Sequence, residues 1–238
     1  MAMAIMVNTI AATPIIMAAD RPGPIWIGLF GALAIGLAAL AAPRAISAYH
    51  ALEARPILWS LAAGERPSAV DLTQAIAALE AARSAHDSAS LASDQGRLRM
   101  ALLPRDPSVV ELEALVTLTE ATLRRAPVNP SLWARLAWLR YRLDQPAAAV
   151  RAALRLSFLT GPVVPELMIT RLGLALAVLD ASDREFTGLV HHSIRQSWVL
   201  YPAETLALGN RHPEPIGAAM LAITEAFRAA FRRVHQLR

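Results

Sequence analysis

Hydrophobic positions follow two regimes along the chain. No charged residue occurs from Pro22 to Pro43, and residues 25–42 read IWIGLFGALAIGLAALAA. Beyond Arg44, charges recur throughout and apolar residues return every three or four positions, the period of a one-sided helix. Alternation of the strand type is not sustained anywhere. Pro and Gly punctuate segments of a length suited to helical hairpins. Read from breaker to breaker, the pattern predicts helices over 69–86, 89–103, 108–125, 131–144, 147–159, 164–180, 184–200 and 214–236.

The stripes are specific. Leu112, Leu115, Val116, Thr119 and Leu123 share one face of their segment. Phe186, Leu189, Val190, Ile194, Trp198 and Tyr201 share one face of another, opposite Arg184, His191 and Arg195. One-sided helices joined by short loops must pack against neighbours as antiparallel pairs. The expected fold is all-α: a membrane helix followed by a short stack of helical hairpins. Its expected divisions are an N-terminal tail over 1–21, a transmembrane helix over 22–43, a juxtamembrane segment over 44–66 and a helical repeat-like domain over 67–238. Residues 44–66 extend the membrane helix in this reading, with Pro56 interrupting it.

An 18-residue helix rises about 27 Å, close to the hydrocarbon thickness of about 30 Å. Asp20 and Arg21 flank one end, Pro43 and Arg44 the other, and Trp26 takes an interfacial position. Ala39 and Ala41 also form the A-x-A pattern of a signal-peptidase site, so cleavage stands as the alternative. Met17 offers an alternative start that would leave the leader MAADRPGP. Gly28, Ala32 and Gly36 recur every four residues, a small-residue strip suited to helix packing in lipid. Arg44 and Arg55 against Arg21 and the amine lean, by one residue, towards a cytoplasmic C-terminal domain.

Composition narrows the chemistry. The 238 residues are 55% hydrophobic and 18% charged, and a mean hydropathy of +0.39 excludes a disordered chain. Cysteine is absent, which removes disulfides, thiolate nucleophiles and Cys metal sites. All 23 basic residues are Arg, and the net charge of +4 is too small to argue for nucleic acid. The six His include no pair at i+3 or i+4, and the adjacent His191 and His192 diverge by about 100°. Glu111 and Glu113 form no paired-carboxylate geometry, and no nucleophile or phosphate-binding signature occurs. No enzyme activity, metal, cofactor or small-molecule substrate is expected.

The segment 127–162, PVNPSLWARLAWLRYRLDQPAAAVRAALRLSFLTGP, resembles a tetratricopeptide repeat. Trp133, Leu136, Ala137 and Ala149 fall on that motif's large–large–small–small pattern. Arg140 departs from it at an aromatic position, Ala153 replaces a bulky residue, and Pro162 is displaced by one. Poorer echoes occur at 69–103 and 164–200. The resemblance implies a groove lined by first helices, onto which Trp138, Tyr141 and Arg142 would project, while Trp133 is core. The later run of ALRLSFLTGP, PELMITRLGLAL and HHSIRQSW is similar to membrane-anchored accessory proteins of bacterial exopolysaccharide biosynthesis. That likeness implies a non-enzymatic role at the bacterial inner membrane.

Arg171 stands within the apolar stripe of Leu167, Met168, Leu172, Ala175, Leu176 and Leu179. A guanidinium there needs partners. Either it ties down a carboxylate or helix C-terminal carbonyls, or it captures an anionic group of a partner. At the far end, Met220, Ile223, Phe227, Phe231 and Val234 share a face, with Arg228, Arg232, Arg233 and Arg238 in the last turns. Those cations complement a helix dipole, or rest on anionic headgroups. The expected function is a membrane-anchored scaffold that docks protein partners, held in the bilayer by residues 22–43. An assembly factor for another envelope complex and a secreted helical binding protein are the alternatives.

Overall fold

A computed structural model describes residues 24–219 together with 224 and 225. Every regular element among them is helical. The order is α1 (Pro24–Ala62), α2 (Ala69–Ala85), α3 (Ala89–Leu102), α4 (Val109–Leu123), α5 (Pro130–Arg142), α6 (Ala147–Thr160), a 3₁₀ turn (Pro165–Leu167), α7 (Met168–Ala177), α8 (Arg184–Leu200) and α9 (Pro202–Gly209). A further helical stretch covers 213–219. The basic end of the expected 214–236 helix, with its stripe from Met220 to Val234, lies outside the described residues.

Local chemistry sets most of the starts. Ser68 and Ser108 each accept a backbone N–H, from Asp71 and Glu111, whose carboxylates return the bond to the serine N–H. These reciprocal caps satisfy two orphan donors at each start. Ser88, Asn129 and Asp183 cap α3, α5 and α8 in the simpler way. Pro130 opens α5 and Pro202 opens α9, where a missing N–H costs nothing. The turn from α5 into α6 is as tight as the Asp144-Gln145-Pro146 run suggests. Gln145 N–H donates to Arg140 O at 3.0 Å and Asp144 N–H to Tyr141 O at 3.1 Å. This paired closure needs a left-handed residue, and Asp144 supplies it at φ 51°, a conformation Asp tolerates better than most side chains.

The described residues divide into two units, the first ending at Pro43 and the second beginning at Arg44. In the first, Trp26, Leu29, Phe30, Leu33, Ile35 and Leu40 are exposed along α1. Open space lies beside Gly28 and Gly36 of the small-residue strip, which includes the exposed Ala32. Among the described residues this helix is the one long and apolar enough to cross a membrane, a property it shares with signal sequences.

In the second unit, neighbouring helices pack in sequence order, with α5 against α6 the most extensive pairing. The main core joins Leu132 and Leu136 of α5, Val150, Leu154 and Phe158 of α6, Leu172 of α7, and Phe186, Val190 and Ile194 of α8. The pattern of residues 44–66 meets a different outcome from the one expected. Pro56 does not interrupt α1, and Ala51, Ala54, Ile57, Leu58 and Leu61 pack with Leu72, Ala75 and Leu79 of α2. Burial of that face outweighs the single backbone donor that an internal proline removes. The segment continues α1 as far as Ala62 and contributes to a second hydrophobic cluster.

Two other boundaries differ. The expected 164–180 helix begins with a 3₁₀ turn and stops at Ala177. Arg151 Nη1 donates to Val178 O at 3.2 Å, and Asp180 turns back onto Ser182 N–H at 3.0 Å, so the backbone finds partners outside a helix. The eight residues of α9 carry too short a pattern to stand out, yet Thr205 and Leu208 are buried.

Candidate functional site

Alternate helices face a common cleft of about 430 Å³. From α3 come Ser93, Asp94, Arg97 and Met100, each three or four positions from another and so on one face. Asn129, Ser131, Ala134, Arg135 and Trp138 come from α5 and its cap. Glu166, Leu167 and Thr170 close the third side from the 3₁₀ turn and α7. The mixture of one indole, a few aliphatic groups and several polar ones is that of a binding site in general.

Arg135 is the residue around which the cleft is built. It is 9% exposed and shares its helix face with the core residues Leu132, Leu136 and Leu139. Its guanidinium lies over Gly96, where an added Cβ would collide with Arg135 Nη1. Glycine at 96 leaves the space that the guanidinium occupies. Burial pulls the Arg135 pKa down to about 10, opposed by the charge of Asp94 and assisted by that of Arg97. Burial likewise raises the Asp94 carboxyl, against the pull of Arg97 and Arg135. Among the described residues no hydrogen bond or ion pair closes on the Arg135 guanidinium.

Arg171, with the same isolated position in an apolar stripe, is handled differently. It is 1% exposed. Nη1 donates to Ser157 O at 2.9 Å and Gly161 O at 2.7 Å, and Nη2 to Pro162 O at 3.0 Å. Its guanidinium carbon stands 4.5 Å from the centroid of the Phe158 ring. Ser157 Oγ in turn donates to Pro130 O at 2.8 Å. Of the two readings of Arg171, tying down helix C-terminal carbonyls is the one realised: it holds the end of α6. Enclosed in this way, it does not present an anion-capturing surface in the groove.

The residues singled out for docking are thus not gathered in one place. Trp138 lines the cleft and rests its other side on Leu112, Leu115 and Leu139. Arg142 stacks at 5.3 Å from the Trp138 ring centroid and donates to Arg105 O at 3.2 Å, outside the lining. Tyr141 is exposed and also outside it. Trp133 leaves α5 on another side, half-buried against the main core, with its indole N–H on Pro127 O at 2.7 Å. Arg135, Asp94 and Arg97 were not singled out from sequence. Arg135 carried the same signal as Arg171, an Arg in a leucine stripe, and could have been found by it.

Elsewhere, paired charges join helix ends. Asp87 receives Arg83 Nε at 2.8 Å and Arg125 Nη1 at 2.6 Å, which hold its carboxyl below the usual range, Arg83 first. Arg155 Nη2 reaches both oxygens of Asp183 at 2.9 Å. Among the described residues, no three His, Asp or Glu side chains converge as metal ligands would. No family model, curated protein or solved structure matches this chain.

Proposed function

We propose that the protein is a membrane-anchored helical scaffold that docks a protein partner in the cleft between α3, α5 and α7. The observation that carries this reading is the cleft itself, in which alternate helices present to the same space one indole and a guanidinium that has no hydrogen-bond partner among the described residues. Trp and Arg are the side chains most used as interface anchors. The exposed apolar length of α1 supports retention at a membrane, so the anchor would confine the cleft to the bilayer surface. Function here is recruitment, with no chemical step.

The hairpin of α5 and α6 supports the tetratricopeptide-like reading: Leu136 and Ala137 are buried where that pattern wants them, and Arg140, in the aromatic position, spans to Ala149 O at 3.2 Å. In that register α3, α5 and α7 would be first helices. Exopolysaccharide synthesis or export at the inner membrane is the preferred setting, on the resemblance of the run after residue 152.

Affinity capture of the full-length protein from detergent-solubilised membranes tests the scaffold reading, beside a Trp138→Ala variant of matched helicity. A partner retained by the wild type and lost by the variant is expected. Identical sets of captured proteins would refute docking in this cleft. The mass of the mature chain tests the anchor, because signal cleavage would remove the residues before about 42.

A further inference from the structure

The part of α1 that follows Arg44 carries apolar residues on two opposite faces, and the fold covers one of them. Ala51, Ala54, Ile57, Leu58 and Leu61 pack with Leu72, Ala75 and Leu79 of α2. Ser47, on the same side, donates from Oγ to His86 O at 3.3 Å. On the other side Ala45, Tyr49, Leu52, Pro56 and Trp59 are all exposed, at 68% for Tyr49 and 69% for Trp59. They recur at intervals of 4, 3, 4 and 3 residues, a spacing that lines up along a helix as one narrow seam. The charged residues of the stretch, Arg44, Glu53 and Arg55, all fall off that line.

We infer that this seam pairs with the same seam of a second copy of the chain, the two helices lying parallel from Ala45 to Trp59. A stripe this narrow is what one facing helix covers. The area suffices as well. With about 200 Å² for a whole aromatic side chain, the exposed parts of Tyr49, Leu52, Pro56, Trp59 and the flanking Ile46 offer roughly 500 Å² per copy. The pair would therefore bury about 1,000 Å², which reaches what a specific interface needs.

Charge sets the direction. Glu53 and Arg55 border the seam on opposite edges, and neither has an ion pair among the described residues. In a parallel pair the Arg55 edge of one copy meets the Glu53 edge of the other, on both sides of the seam. An antiparallel pair would set each edge against its own kind. Because α2 lies on the covered face, it is turned outwards in the pair and leaves the seam unobstructed. A bilayer surface fits this stretch less well. A helix resting on headgroups opposes its apolar side with a charged, solvated one, whereas the far side here is packed against α2. The seam shares no residue with the cleft between α3, α5 and α7, so the pairing holds whether or not that cleft docks a partner.

The test exploits the absence of cysteine from the chain. Single cysteines replace Ala45, Tyr49, Leu52 or Trp59 on the seam, and Ser47 or Ala51 on the covered face. The exposed Leu206, changed in the same way, measures random collision. The full chain is treated in intact cells with a membrane-permeant bismaleimide of short span, and the products are weighed by mass spectrometry. Covalent dimers of twice the chain mass are expected at the seam positions, and none above the Leu206→Cys level on the covered face. Adding Leu52→Glu to Tyr49→Cys sets two carboxylates against each other and should abolish the dimer. Glu53→Arg should weaken it, and Glu53→Arg with Arg55→Glu should restore it.

The substituted seam and edge residues are exposed, so the core is left intact, and circular dichroism of each purified variant checks this. The charge-reversal arm decides independently of any effect that Leu52→Glu has on folding. Cross-linking that is equal at seam, covered and Leu206 positions overturns the pairing, as does a dimer that persists in Leu52→Glu. Cross-links only to another protein, or none at all, overturn it too. Failure of the double reversal to restore what Glu53→Arg loses overturns the parallel arrangement.

Discussion

Replacing Arg171 by Met tests how a buried charge holds this fold together. The substitution keeps an unbranched, apolar stem of similar reach and deletes a guanidinium that is 1% exposed. Three bonds to carbonyls disappear, those to Ser157, Gly161 and Pro162. At about 1.5–3 kcal/mol for each bond to a charged group, their sum is about 5–9 kcal/mol. The charge opposes this: the fall of its pKa to about 10 reports desolvation worth about 3 kcal/mol. Loss of the bonds outweighs relief of the burial, and the expected destabilisation is about 3 kcal/mol.

For a protein of this size that corresponds to a drop of about 6–12 °C in Tm. The assay is thermal unfolding of the full-length protein in detergent, followed by circular dichroism. Arg171→Lys should fall between the two, since one ammonium cannot reach the three carbonyls with the geometry of a fork. Replacement of buried ions by apolar residues is sometimes neutral or stabilising. An Arg171→Met variant as stable as the wild type would therefore refute the balance in which the carbonyl bonds outweigh the cost of burial. If that variant also lost its partner, Arg171 would belong to the docking surface after all.

Four other outcomes follow from particular contacts. Gly161→Ala would place a Cβ 2.7 Å from Pro130 Cγ and 2.9 Å from Val164 Cγ2. Neither neighbour is the far end of a flexible chain, so a loss of about 1–3 kcal/mol in a denaturant titration is expected. Asp183→Ala removes both the cap on Phe186 N–H and the two-oxygen contact with Arg155, and should cost about 2 kcal/mol. Asp183→Asn, which keeps the cap oxygen, should recover part of that. Asp87 is held below its ordinary pKa by Arg83 and Arg125, so its contribution is complete above about pH 4, the unfolded value, and vanishes as pH falls through the lowered native one. The stability gap between wild type and Asp87→Asn should accordingly be open at neutral pH and close on acidification, in melts run across that range. In liposome flotation, the full chain should remain bound at high salt, because the attachment proposed for α1 is apolar. Release by salt alone would argue against the anchor.

Much of the helix layout was readable from residues because its causes are local. A cap acts across three residues, as Ser68 with Asp71 and Ser108 with Glu111, and a breaker such as Pro146 acts on its immediate neighbours. The stripes of Leu112, Leu115 and Leu123, and of Phe186, Val190 and Ile194, name the buried face without any partner being known. Where a distant contact outweighed the local signal, reading from residues failed. Pro56 leaves α1 unbroken because the face around it packs on α2, and α7 stops early because Arg151 takes a carbonyl at Val178.

The amino-acid sequence by itself determined the helices, their apolar faces and the uncharged span near the start. It also identified Arg171 as a charge among leucines, and contained Arg135 in the same situation. Which of the two is held by backbone carbonyls was decided by tertiary structure alone. The carbonyls that hold Arg171 lie 9 to 14 residues away and converge only when α7 folds against the end of α6. The cleft that leaves Arg135 open exists only when three alternate helices stand side by side. A helix stripe shows which side chains will be buried, but the partners of a buried charge come from other parts of the chain.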